Sequence, residues 1–211
     1  MSQDSATYDI ESILFLLLYS EGPQGRMAES LPSNLFLQKE AFVLSKKIQT
    51  LEAEYEPFRL GPFSETLDDT LEQLRASRYV APDDPIHLTQ DGLALARDLW
   101  ERASDDLKKL VTDTKKLFNN MTKDELLSYI YSSYPEWTEN SDIREQVAKK
   151  RIDAAVSLFS KEKVSLGKAA GIAGLTVQMF TSVLEERGVP IHSYSGEDVR
   201  EELSGVGRNR A

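Results

Sequence analysis

Between Leu166 and Gly188 the chain reads LGKAAGIAGLTVQMFTSVLEERG, a run whose polar side chains could read the edges of nucleic-acid bases. If the second half is a helix, Thr176, Val177, Gln178, Thr181 and Ser182 fall on its outward face. A Gln carboxamide matches the donor and acceptor edge of adenine, and Thr and Ser hydroxyls reach bases or phosphates. Phosphates also need cations. Lys161, Lys163 and Lys168, with Lys149, Lys150 and Arg151 upstream, form the one clearly basic neighbourhood of the chain.

Other chemistries find little support. There is no cysteine, so thiol catalysis, disulfides and thiolate zinc sites are excluded. His87 and His192 stand far apart without carboxylates at ligand spacing, and no glycine-rich phosphate loop, G-x-S-x-G elbow or H-E-x-x-H helix occurs. The residues therefore imply neither an enzyme nor a bound metal or cofactor.

A base-reading helix needs a partner helix and a tight turn. Ala170 supplies a small residue for the helix crossing, and Gly174 supplies the left-handed turn. Ala169, Ala173, Leu175, Phe180 and Val183 then fall inward, and Thr176 can cap the second helix. Such a pair could instead be a helical hairpin that packs on another surface and never meets DNA.

Upstream, Asp9–Tyr19 and Leu35–Leu51 carry helical apolar spacing, separated by a loop over 21–33. Gly61-Pro62-Phe63-Ser64 breaks the chain, and Ser64 is placed to cap a helix bearing Leu67, Leu71 and Leu74. Tyr79–Ala81 and Ile86–Leu88 flank a Pro-Asp-Asp-Pro turn, after which Thr89 opens another helix. Three helices, a hairpin and a helix are the order of a winged helix-turn-helix. The pattern stays helical to Leu117, resumes after Met121, breaks over Tyr134–Asp142 and returns over Ile143–Phe159. Trp100, Trp137 and the tyrosines over 129–134 fit a core better than an aromatic binding surface. The expected fold is mainly α: a winged helix-turn-helix domain with a helical extension over 1–145, and a helix-turn-helix module over 146–211 with a flexible tail from Ser204.

Charge divides the same way. The 211 residues carry a net charge of −10, which argues against indiscriminate nucleic-acid binding. Residues 1–148 hold 15 basic and 27 acidic side chains, whereas 149–211 hold 10 and 8. The third helix would expose Glu65, Asp68, Asp69 and Glu72 against Arg75 and Arg78, a face that repels phosphate and suits protein contacts or dimerisation. The longest apolar run, Ile13–Tyr19, is far short of the roughly 20 residues that span a bilayer, and Asp4, Asp9 and Glu11 precede it. A cytoplasmic protein without a membrane segment is expected.

Val164–Glu202 resembles a small, uncharacterised prokaryotic antitoxin-like family whose members read SLGKAAELAG, a short helix, ERGIP and an acidic helical tail. The matching pieces are Ser165–Gly174, Glu186–Pro190, and Tyr194-Ser195 leading into Glu197–Leu203. The resemblance implies a dimer that binds DNA through the helix-turn-helix and engages a toxin, often a nuclease, through its C-terminal segment. The 150 residues before it depart from the usual single module. More loosely, Leu37-Gln38-Lys39, Gly61–Ser64 and Leu88-Thr89 with Gly92 are similar to archaeal and bacterial winged-helix domains. Two expectations follow: a homodimeric, antitoxin-type transcriptional regulator on double-stranded operator DNA, or an adaptor that binds a toxin or nuclease without reading DNA. Arg208 and Arg210 could add phosphate contacts.

Overall fold

Asp9, Ser64, Thr89, Ser104, Ser165 and Thr176 each put a side-chain oxygen just before an apolar run. In the computed structural model each accepts a backbone N–H three residues on, at 2.7–3.3 Å. Each thereby satisfies one of the orphan donors at a helix start. The structure describes residues 8–48, 51 and 53–191. Among them the chain is mainly helical, with nine α-helices and one two-stranded sheet. None of these helices is long and apolar enough to cross a membrane.

The described residues divide into two compact units, one of 8–122 with 136–142, the other of 123–135 with 143–191. The sequence-based boundary at 145 assigns 123–135 to the first domain; that helix packs instead within the second unit, and 136–142 return to the first.

In the first unit α1 (Ile10–Tyr19) is apolar on nearly every side, and Ile13 to Leu18 are all buried. A helix of that kind belongs at a centre, and α2 (Asn34–Ser45), α3 (Glu65–Ala76), α4 (Gln90–Arg102) and α5 (Asp105–Phe118) pack around it. Helix α2 stops at Ser45, short of the expected Leu51. There the Ser45 hydroxyl bonds the Phe42 carbonyl 2.8 Å away and competes with the helical ladder.

A hairpin that periodicity did not predict, β1 (Glu56–Phe58) with β2 (Gly61–Phe63), precedes α3. Its cause is α2: the Gln38 carboxamide exchanges hydrogen bonds with the N–H and C=O of Ser64, and Lys39 Nζ donates to the Pro62 carbonyl at 2.7 Å. The paired motifs LQK and GPFS are thus a clip that fixes the entry to α3. The expected hairpin over Tyr79–Leu88 is reduced to one isolated bridge, Val80 to Leu88, across a cis Asp84-Pro85 bond, and Leu31, from the loop before α2, bridges to Ile86. Gly92 is required where α4 starts, since the Tyr79 carbonyl oxygen occupies the space a Cβ would take. A break at Ala103-Ser104 separates α4 from α5, although the sequence pattern runs on as helical through both. Trp100 packs on Tyr19, and Trp137 packs edge-on against Phe42 with Lys46 over its ring.

The second unit holds α6 (Lys123–Ser133), α7 (Arg144–Ser160), α8 (Leu166–Ala173) and α9 (Val177–Glu186). Leu126, Ile130, Ala155, Leu158, Ala169, Ala173, Phe180 and Leu184 form its core, and the Phe159 and Phe180 rings meet edge to face at 6.3 Å.

Candidate nucleic-acid interface

The turn between α8 and α9 is three residues long. Gly174 takes φ 67° and ψ 33°, and its N–H and that of Leu175 close onto the carbonyls of Gly171 and Ala170 at 3.0 Å. Left-handed backbone strains any residue with a Cβ, so glycine belongs here. Ala169, Ala170 and Ala173 are at most 1% exposed, and their small size lets α8 lie close to its neighbours. Phe180 is fully buried, as expected of an inward residue, whereas Leu175 and Val183 are half-buried. Leu184, also fully buried, completes the inner face of α9.

The outer face of α9 differs in detail from the sequence-based set. Thr176 is exposed, but its hydroxyl oxygen accepts the Met179 N–H as the cap. Gln178 is exposed, and its carboxamide has no hydrogen bond among the described residues. Thr181 is half-buried and Ser182 exposed; both hydroxyls donate to carbonyls four residues back, at 2.9 and 3.3 Å. Val177 is half-buried. Met179, at 56% exposed, is one of three large apolar side chains so displayed among the described residues. Periodicity missed it because an apolar residue beside Phe180 reads as core. Gln178, Met179 and Ser182 therefore form the most open strip of the helix.

The three expected phosphate lysines have different fates. Lys161 Nζ lies 2.7 Å from the Glu125 carboxylate, which is only 3% exposed. Lys168 Nζ donates to Ser133 Oγ at 2.7 Å and sits over the Tyr129 ring, and burial lowers its pKa. Lys163 is half-buried with no ion pair among the described residues. Of the flanking cations, Lys150 pairs with Asp124 at 2.8 Å and Arg187 with Asp153 at 2.7 Å. These charges hold α6, α7 and the end of α9 together. Lys149 and Arg151 are exposed and without a carboxylate partner among the described residues.

In the first unit, Asp68 accepts from Asn34, and Arg75 bridges Glu72 and Asp84. Glu65, Asp69 and Glu72 stay exposed, so the face of α3 is acidic as expected. His87 Nδ1 lies 2.7 Å from the Pro85 carbonyl. His192, the acidic segment from Glu197 and Arg208 and Arg210 lie outside the described residues. Among those described, no three His, Cys, Asp or Glu side chains gather as a metal site.

No solved structure matches the chain. A UPF0175 protein of Aeropyrum pernix is 43% identical over 53 residues, which cover 25% of this chain and 58% of that relative's length. Residues 134–208, which contain α7, the α8–α9 turn and the open strip of α9, match the uncharacterised protein family UPF0175.

Proposed function

We propose that the α8–α9 pair is a helix-turn-helix that binds double-stranded DNA, and that the chain is an antitoxin-type transcriptional regulator acting as a homodimer on its operator. The observation that carries this reading is the Gly174 turn, which leads into a Thr176-capped helix whose Gln178 carboxamide is exposed and uncommitted. A helix with a buried seam and an exposed, uncommitted carboxamide in its first turn suits the major groove. Gln178 would read a base edge, Met179 would meet a thymine methyl, and Ser182 would approach phosphate. The resemblance of Val164–Glu202 to antitoxin-like proteins supports the same reading.

The first unit fits a winged helix-turn-helix used for protein contact. The isolated bridges of Leu31 to Ile86 and Val80 to Leu88 support that reading, yet the α3 face carries Glu65, Asp69 and Glu72. Those carboxylates favour a second reading, an adaptor that holds a basic toxin or nuclease and reads no DNA.

Fluorescence anisotropy tests the proposal, using a duplex from upstream of the coding sequence and a mixed-sequence duplex across a salt series. Binding should weaken steeply with salt, and Gln178→Ala should cost the upstream duplex about tenfold while sparing the other, as for a lost base contact. Absence of binding to either duplex at low salt removes the DNA reading and leaves the adaptor.

A further inference from the structure

The basic residues of the second unit differ in what engages them. Lys150, Lys161, Lys168 and Arg187 are engaged inside the unit by Asp124, Glu125, Ser133 with Tyr129, and Asp153. Arg151 packs over the turn with no acid to neutralise it among the described residues. It rises from α7, and its guanidinium lies over the α8–α9 turn: Cζ, Nη1 and Nη2 are 2.5–2.6 Å from where a Cβ on Gly174 would stand. Gly174 is therefore a seat as well as a turn, because its bare Cα gives the planar group a floor. Arg151 remains exposed, and the nearest acid on its own helix, Asp153, is taken by Arg187. Among the described residues no carboxylate answers it.

A guanidinium that is exposed, unpaired and seated over bare backbone beside the turn can take a pair of phosphate oxygens. We propose that Arg151 is the phosphate clamp of this interface, a positioning residue that grips the duplex backbone beside the turn and sets α9 in the groove. Lys161 and Lys168 act as internal straps instead. The proposal rests on the DNA reading above.

The experiment compares salt dependence of binding to a mixed-sequence duplex for the wild type, Arg151→Gln, Arg151→Lys and Lys150→Gln, with thermal melts of each. Losing one phosphate contact lowers the log–log salt slope by about 0.9. Arg151→Gln should show that drop with about tenfold weaker binding at low salt, whereas Arg151→Lys and Lys150→Gln should keep the wild-type slope. An unchanged slope in a folded Arg151→Gln overturns the clamp while leaving the DNA reading intact. Should Arg151→Gln melt early, Arg151→Lys decides: the retained charge keeps the slope, but losing the two-pronged grip weakens binding severalfold, and a folded Arg151→Lys that binds as tightly as the wild type overturns the clamp. A wild type that binds no duplex overturns the reading and the clamp together.

Discussion

At the scale of single residues, basic side chains of the second unit have opposite duties. Lys161 faces a carboxylate that water barely reaches, so its charge serves to keep Glu125 satisfied in the second unit. Lys161→Gln is expected to destabilise that unit by about 1 kcal/mol, a value held down because the lysine itself is partly exposed. The same change should leave the salt slope for DNA at its wild-type value. Urea titration and anisotropy on one preparation check both, and a reduced slope with unchanged stability would return Lys161 to the interface. Sequence could not separate Lys161 from Arg151, since the distinction lies in Glu125 and Gly174, each distant along the chain.

At the scale of elements, two of the three glycines in α8 and its turn stand three positions apart and have contrary roles. Gly171 sits inside the helix with nothing within 4 Å of a would-be Cβ, whereas Gly174 has φ 67° and the Arg151 guanidinium above it. Gly171→Ala should stabilise by about 0.5–1 kcal/mol through helix propensity alone. Gly174→Ala should destabilise by about 1–2 kcal/mol from left-handed strain, and it displaces Arg151 as well. Denaturant midpoints of the two variants should therefore move in opposite directions; shifts of equal sign would sink this account of the turn. This element was the most legible in the chain. A small residue, a glycine and a capping threonine at fixed offsets permit few other geometries. The β1–β2 hairpin was not legible, because what pairs those strands is the clip from Gln38 and Lys39 on another helix.

At the scale of the whole molecule, the first unit buries charge at its centre. Lys39, Glu40 and Lys115 are each 2% exposed or less; Lys39 donates to Pro62, Lys115 donates to the carbonyls of Leu18 and Ser20, and neither Glu40 oxygen has a hydrogen bond among the described residues. Burial lowers the pKa of Lys39 to about 7 and that of Lys115 to about 8, and raises that of Glu40, against which Lys115 pulls. A lysine with a depressed folded pKa binds fewer protons folded than unfolded, so stability rises with pH between the folded value and its ordinary value near 10.5. Glu40 has the opposite sign, its stability being lost as pH rises from the ordinary carboxyl value toward the raised one. Over that range two lysines oppose one carboxyl, and the net slope is positive. The wild type should gain stability from pH 7 to 9.5, by as much as about 1 kcal/mol per pH unit for each lysine. In Lys39→Met the gain should shrink, as read by urea midpoints at the two pH values. An equal gain in both proteins would show that Lys39 is not the group responsible.

Helical class, cap positions, the α8–α9 turn and the acidic cast of α3 were written locally, because caps, turns and apolar periodicity depend on residues a few positions apart. The unit to which α6 belongs, the clip between α2 and β2, the buried lysines of the first unit and the identity of the free cation beside the turn were decided only by tertiary structure. Each depends on a partner far along the chain, and whether a charge is spent or available is settled by the carboxylate, carbonyl or glycine that folding brings against it.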